Sequence, residues 1–107
     1  MPRQSLTVNN LRVMLSDRGK AQFIDVRDPG EFADERVDGF ANYPLSSFPK
    51  SLRQLDKNAP IVVLCTNGSK AKLAANILEE EGYADICIVA GGLLSWKVQC
   101  FPLAKAV

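Results

Sequence analysis

The sequence predicts an α/β fold built on a parallel sheet, and three observations predict it. Hydrophobic patterns of helix type and strand type alternate along most of the chain. Two short runs, Ile61-Val62-Val63-Leu64 and Ile86-Cys87-Ile88-Val89, are apolar without alternation, as strands buried on both faces of a parallel sheet are. Each run leads into a turn of small, polar or glycine residues and then into a helical stripe.

Taken in order, Thr7 reads as an N-cap before Val8, Leu11, Met14 and Leu15, which share one helical face, and Gly19 reads as the stop. Ala21 to Val26 reads as a buried strand. Asp28-Pro29 is a cap followed by proline at the first helical position, so Pro29 to Ala33 is expected to form one or two helical turns. Asn42-Tyr43-Pro44 holds a very short strand, and Ser47 to Leu55 a helix before the turn Asn58-Ala59-Pro60. After the strand Ile61–Leu64 comes Cys65, then a helix with Ala71, Ala74, Ala75 and Leu78 on one stripe and Gly82 as its stop. Gly91-Gly92 turns the second buried run into a last helix holding Leu93, Leu94, Trp96 and Val98.

Composition bounds the function. A chain of 107 residues is expected to be a single domain, residues 1–107, with one core. Net charge is +1, from thirteen basic and twelve acidic residues, so neither nucleic acid nor a membrane surface is an expected partner. No run nears the ~18 apolar residues of a membrane span, and the start lacks the apolar stretch of a secretory signal, so the expected location is cytoplasmic. The three cysteines, Cys65, Cys87 and Cys100, are too far apart for a zinc knuckle, and an odd count suits a reducing compartment. Histidine is absent, which removes the Cys–His dyad and imidazole metal ligands. Any cysteine chemistry has to activate its thiolate by another route.

The segment Cys65-Thr66-Asn67-Gly68-Ser69-Lys70 offers that route. It is a strand end, a small polar loop and a helix start, and ligands of open α/β sheets bind at the carboxyl ends of strands. A curled loop entering a helix turns several N–H groups inward and forms an anion cup. The same amides and the helix dipole stabilise a thiolate on its floor. Lys70 adds positive charge at the rim. Two plainer readings stand beside these: a cysteine ending a buried strand also serves as a small hydrophobe, and a lysine at a helix start is also merely solvated.

Three stretches carry a resemblance to the rhodanese family of sulfurtransferases, in its single-domain form. They are Ile24-Asp25-Val26-Arg27-Asp28-Pro29-Gly30-Glu31-Phe32, then Val62 to Lys70, then Gly91-Gly92-Leu93-Leu94-Ser95-Trp96. The resemblance spans about Thr7 to Pro102 and implies a rhodanese-like fold, a central parallel β-sheet with helices on both faces. It implies Cys65 as the catalytic nucleophile and Thr66, Asn67, Gly68, Ser69 and Lys70 as the substrate-binding loop. The implied reaction takes sulfane sulfur from a small anion such as thiosulfate, holds it as a persulfide on Cys65, and passes it to a thiol or cyanide, with an acceptor protein as a further partner. No metal or organic cofactor is implied. The alternative within the same family is a non-catalytic interaction module.

The chain departs from the family pattern at three places. Lys70 stands where the family often has arginine, giving a point charge in place of a planar fork. Arg36 stands where a histidine often precedes Gly39, and Phe40 where a small residue usually follows it. Related folds that hydrolyse phosphate esters keep five residues between cysteine and arginine; here four separate Cys65 from Lys70, and Ala71 follows. The tighter cup without arginine favours sulfane sulfur over a phosphoryl group. Asp25 and Arg27 read as a structural ion pair, with a pocket-facing role as the other possibility. Cys87 and Trp96 read as core. Cys100 reads as a bystander, with sulfur relay or a disulfide as alternatives. Glu79-Glu80-Glu81 reads as a solvated helix end.

Overall fold

The computed structural model describes residues 4–105. Five parallel strands form one sheet in the order β1-β5-β4-β2-β3: β1 (Gln4–Leu6), β2 (Gln22–Asp25), β3 (Ala41–Asn42), β4 (Ile61–Leu64) and β5 (Ile86–Val89). The helices are α1 (Val8–Ser16), α2 (Pro29–Asp34), α3 (Ser69–Glu80) and α4 (Gly92–Val98). Both apolar runs occupy central positions, and all four residues of each are buried.

The two-residue period of a strand splits the core into two layers. Ile61, Val63 and Cys65 of the middle strand point to one face, where they meet Ala71, Ala74, Ala75 and Leu78 of α3. Val62 and Leu64 point to the other, where they meet Val8 and Leu11 of α1 and Leu93 and Trp96 of α4. Helices therefore cover both faces. The alanine stripe of α3 lets that helix lie close on the sheet, and Leu78 is fully buried at its far end, worth about 2 kcal/mol over exposure.

Local signals are realised with small shifts. Thr7 caps α1, its Oγ1 accepting the Asn10 amide at 3.1 Å. The helix closes at Ser16, and Gly19 takes its positive φ of 55° in the turn beyond. The expected strand Ala21 to Val26 is regular over Gln22–Asp25, the expected Pro29 helix runs to Asp34, and the short strand lies at Ala41–Asn42.

Two expectations need correction. Ser47 to Leu55 is not an α-helix but two 3-10 turns, Leu45–Ser47 and Lys50–Gln54. Pro49 interrupts them: it has no N–H to give, and the residue before it, Phe48, is held extended (φ −75°, ψ 148°). The edge strand β1 also went unread. Its three residues are largely exposed and carry no apolar alternation; pairing with β5, from Gln4↔Cys87 to Leu6↔Val89, is what defines it.

Phe40 and Arg36, where the chain departs from the family pattern, have defined places. Phe40 is buried edge-on against Phe23, with ring centroids 5.4 Å apart. Arg36 lies over the Phe32 ring at 5.1 Å and bridges by its backbone to Ala104.

Candidate active site

The site is assembled where the middle strand runs out. Because Cys65 follows Leu64 in the strand period, its side chain joins Ile61 and Val63 on the α3 face, and it is only 1% exposed. The chain must then reverse into α3 within a few residues. Gly68 makes this possible at φ 104°, a backbone region where a side chain would add strain. The reversal brings the first turn of α3 over the sulfur. The Gly68 amide donates to Cys65 Sγ at 2.9 Å, and the Ala71 amide donates at 3.4 Å. Amides of a first helical turn have no carbonyl partner in their own helix, so they are available to an anion.

The predicted loop residues divide by role. Thr66 is half-buried, while Asn67, Ser69 and Lys70 are exposed. Asn67 Oδ1 accepts the Ser69 amide at 3.0 Å, which shapes the loop and occupies that donor. The expected cup of Thr66 to Lys70 amides is thus narrower in its contact with sulfur, and its second donor, Ala71, lies one residue beyond the predicted span.

The start of α4 holds the loop from behind, a role that the sequence reading missed. Leu93 N donates to Cys65 O at 2.8 Å and Leu94 N to Thr66 O at 3.0 Å. Such an approach requires a glycine at position 92. A Cβ there would lie 2.5 Å from Cys65 O and 2.6 Å from Thr66 O, and φ is 59°. The doubled glycine was the available signal: one glycine suffices for a turn, and the second marks a close approach.

At the rim, Lys70 Nζ lies 3.6 Å from Asp28 Oδ1, with side chains 46% and 65% exposed. Asp28 precedes α2 as its cap by backbone, but its side chain makes no capping hydrogen bond. Arg27 contributes no charge to the rim. It is buried on Asp25, with Nη2 to Oδ2 at 2.8 Å, and its Nη2 also donates to Glu35 O at 2.7 Å. The pair ties β2 to the C-terminus of α2, so the structural reading of Asp25 and Arg27 holds. A cavity of about 430 Å³ lies beside the loop, between Asn67, Gly68 and Ser69 on one side and Ser5, Val89 and Gly91 on the other.

The other thiols stand apart. Cys87 is buried in β5, and burial pushes its thiol above the ordinary value, with Asp85 adding to the effect. Cys100 is exposed and unpaired, beyond the C-terminal end of α4. The seven residues of α4 place about 10 Å of helix between Cys100 and the Cys65 loop. The geometry does not bring the two thiols together. Trp96 is core, its Nε1 donating to Pro102 O at 2.8 Å.

Comparison with known proteins gives a consistent result. The family described as Rhodanese-like domain matches residues 7–99. A thiosulfate sulfurtransferase GlpE of Shewanella oneidensis is 32% identical over 91 residues, covering 85% of this chain and 89% of that protein. The uncharacterized protein YqhL of Bacillus subtilis is 34% identical over 77 residues, covering 72% of this chain and 61% of YqhL. Among solved structures, a rhodanese-related protein from Thermoplasma volcanium superposes with a TM-score of 0.82 at 24% identity, covering 94% of this chain and 97% of that one.

Proposed function

The chain belongs to the rhodanese-like family, and on that premise we propose that it is a sulfurtransferase carrying sulfane sulfur as a persulfide on Cys65. The observation that carries the reading is the pair of amides, from Gly68 and Ala71, aimed at Cys65 Sγ within the first turn of α3. Such donors stabilise negative charge on sulfur without a histidine, which this chain lacks.

In the proposed reaction the Cys65 thiolate attacks the outer sulfur of thiosulfate or a related donor. A new S–S bond forms on Cys65, the donor's S–S bond breaks, and sulfite leaves with the bonding pair. An acceptor thiolate or cyanide then takes the outer sulfur and returns Cys65 as thiolate. Thr66, Asn67, Gly68 and Ser69 shape the cup, and Lys70 provides the rim charge for an anionic donor. The partners are a small sulfur anion and a thiol acceptor, which includes a cysteine of an acceptor protein; nucleic acid and membrane have no part. The reaction belongs in a reducing compartment, and we place it in the cytoplasm. Among the described residues no helix is long and apolar enough to cross a membrane.

The reading is tested by intact-protein mass spectrometry after treatment with thiosulfate. One added sulfur, about 32 Da, is expected and should map to Cys65. Cys65→Ser should abolish both adduct and turnover, whereas Cys87→Ser and Cys100→Ser should keep the adduct. Turnover that survives in Cys65→Ser would place the chemistry elsewhere. The burial of Cys65 and the pairing of Lys70 with Asp28 favour a second reading, a non-catalytic interaction module. That reading gains if reduced, folded protein takes up no sulfur from any donor.

A further inference from the structure

We propose that Asp28 is a specificity-determining residue that, through its ion pair with Lys70, turns the site away from dianionic donors and toward sulfane-sulfur carriers of lower charge, such as organic persulfides. The inference rests on the sulfurtransferase reading above and deepens it.

The argument begins with topology. β2 and β4 are neighbours in parallel register, with Asp25 opposite Leu64, so their carboxyl ends open side by side. Asp28 stands three residues past one end and Lys70 at the start of the helix that follows the other. Their ion pair, at 3.6 Å, therefore spans the two exits at the mouth of the cup. An incoming dianion meets the Lys70 ammonium already partnered and the Asp28 carboxylate beside it. Arg27 does not restore the balance, because its guanidinium is buried on Asp25 and on the Glu35 carbonyl. Since Coulomb energy scales with donor charge, Asp28 penalises thiosulfate about twice as strongly as a monoanion, and a neutral donor hardly at all.

The cavity beside the loop, which Lys72 also lines, supplies room that a larger donor would fill. Its volume of about 430 Å³ falls within the range of small-molecule sites, and it runs from the loop past Ser5, Val89 and Gly91. Gly68 lines it and also donates to Cys65 Sγ, so this one residue stands between the cavity and the buried thiol. A bare inorganic donor has no organic body to place there. With a persulfide R–S–SH, the Cys65 thiolate attacks the terminal sulfur and the donor's S–S bond breaks. The thiolate RS⁻ leaves with the electron pair and takes a proton from water. Cys65 is left as Cys65–S–SH, and no external oxidant or reductant is needed.

Asp28→Asn is the decisive variant, because the Asp28 side chain makes no capping hydrogen bond and the site is exposed, so α2 is left undisturbed. Steady-state kinetics are compared with thiosulfate and with N-acetylcysteamine persulfide, an organic donor that carries at most one negative charge. In the parent protein kcat/KM for N-acetylcysteamine persulfide should exceed that for thiosulfate by about tenfold or more. Asp28→Asn should lower KM for thiosulfate about fivefold with kcat changed less than about twofold, and move the persulfide KM less than about twofold. Added NaCl should raise the thiosulfate KM more steeply in Asp28→Asn, where Lys70 is unpartnered, and Asp28→Glu should restore the parent preference. If Cys65 loads from both donors but thiosulfate is preferred, or the ratio is unmoved by Asp28→Asn, the inference is overturned. If Cys65 takes sulfur from neither donor, the sulfurtransferase reading itself fails.

Discussion

Two strand-to-helix turns stand next to each other in the sheet, and they spend their amides differently. The β4–α3 turn directs Gly68 N and Ala71 N at a side-chain sulfur. The β5–α4 turn directs Leu93 N and Leu94 N at the carbonyls of Cys65 and Thr66. Both are helix N-termini reached through a glycine in the left-handed region. One aims its donors at the thiol and the other gives them up to hold its neighbour in shape. A helix N-terminus becomes a site when its amides converge on a group that changes charge, and it becomes scaffold when backbone carbonyls reach it first.

The sharpest way to break the comparison is Gly92→Ala. The new methyl would enter the space of two carbonyl oxygens, at 2.5 and 2.6 Å, in a backbone conformation that disfavours it. A loss of about 3 kcal/mol or more is expected by urea unfolding, with turnover lost along with it. A midpoint equal to that of the parent protein would show that α4 does not clamp the loop.

Gly68→Ala is the matched case. A Cβ there meets nothing within 4 Å, so only the φ of 104° is strained. We expect about 1–2 kcal/mol of destabilisation. Turnover should fall about tenfold as the Gly68 amide moves off the sulfur. Loss of activity should therefore exceed loss of stability at Gly68, and the two should fall together at Gly92. Equal behaviour of the two variants would remove the distinction between site and scaffold.

Lys70→Ala has a smaller expected effect. The side chain is exposed and already paired with Asp28, so KM for thiosulfate should rise about threefold with kcat changed less than about twofold. A fall in kcat at constant KM would instead place Lys70 in the transition state.

The smallest effect concerns the far end of α4. A hydrogen bond from the Lys97 ammonium holds the Glu35 carboxyl below its ordinary value of 4.5, against a weaker opposing effect of desolvation. A carboxyl whose pKa is lowered in the folded state stabilises the fold above its unfolded value, and that contribution disappears as pH falls through the lowered one. Glu35→Gln should lower Tm slightly at neutral pH, leave it unchanged at low pH, and so flatten the acid limb of Tm against pH. Parallel acid limbs for the two proteins would show that the pair contributes nothing.

Much of this was legible in the sequence. Ile61–Leu64 and Ile86–Val89 could be read as central strands because burial on both faces leaves a continuous apolar run, whatever surrounds it. The α3 stripe of Ala71, Ala74, Ala75 and Leu78 was readable because a helix buried on one face repeats its apolar residues every three or four positions. Cys65 could be placed at a strand end ahead of a helix by local pattern alone. The edge strand β1 was illegible because its three residues bury little, and only pairing with β5 makes it a strand. The 3-10 turns around Pro49 were misread because an apolar spacing over Ser47 to Leu55 suits a helix until the proline is weighed.

Residue order alone specifies the fold class, the position of the thiol and the absence of any histidine to activate it. These follow from periodicity and residue type, which are local properties. Packing in three dimensions sets which amides meet the sulfur, that Ala71 is one of them, that Gly92 lets α4 grip the loop, and that Lys70 is shared with Asp28. Each of these joins residues far apart in the chain or depends on where a backbone curve ends. Sequence pattern records which face a residue prefers, whereas a hydrogen bond or an ion pair depends on ångström-scale distances set by how the elements pack.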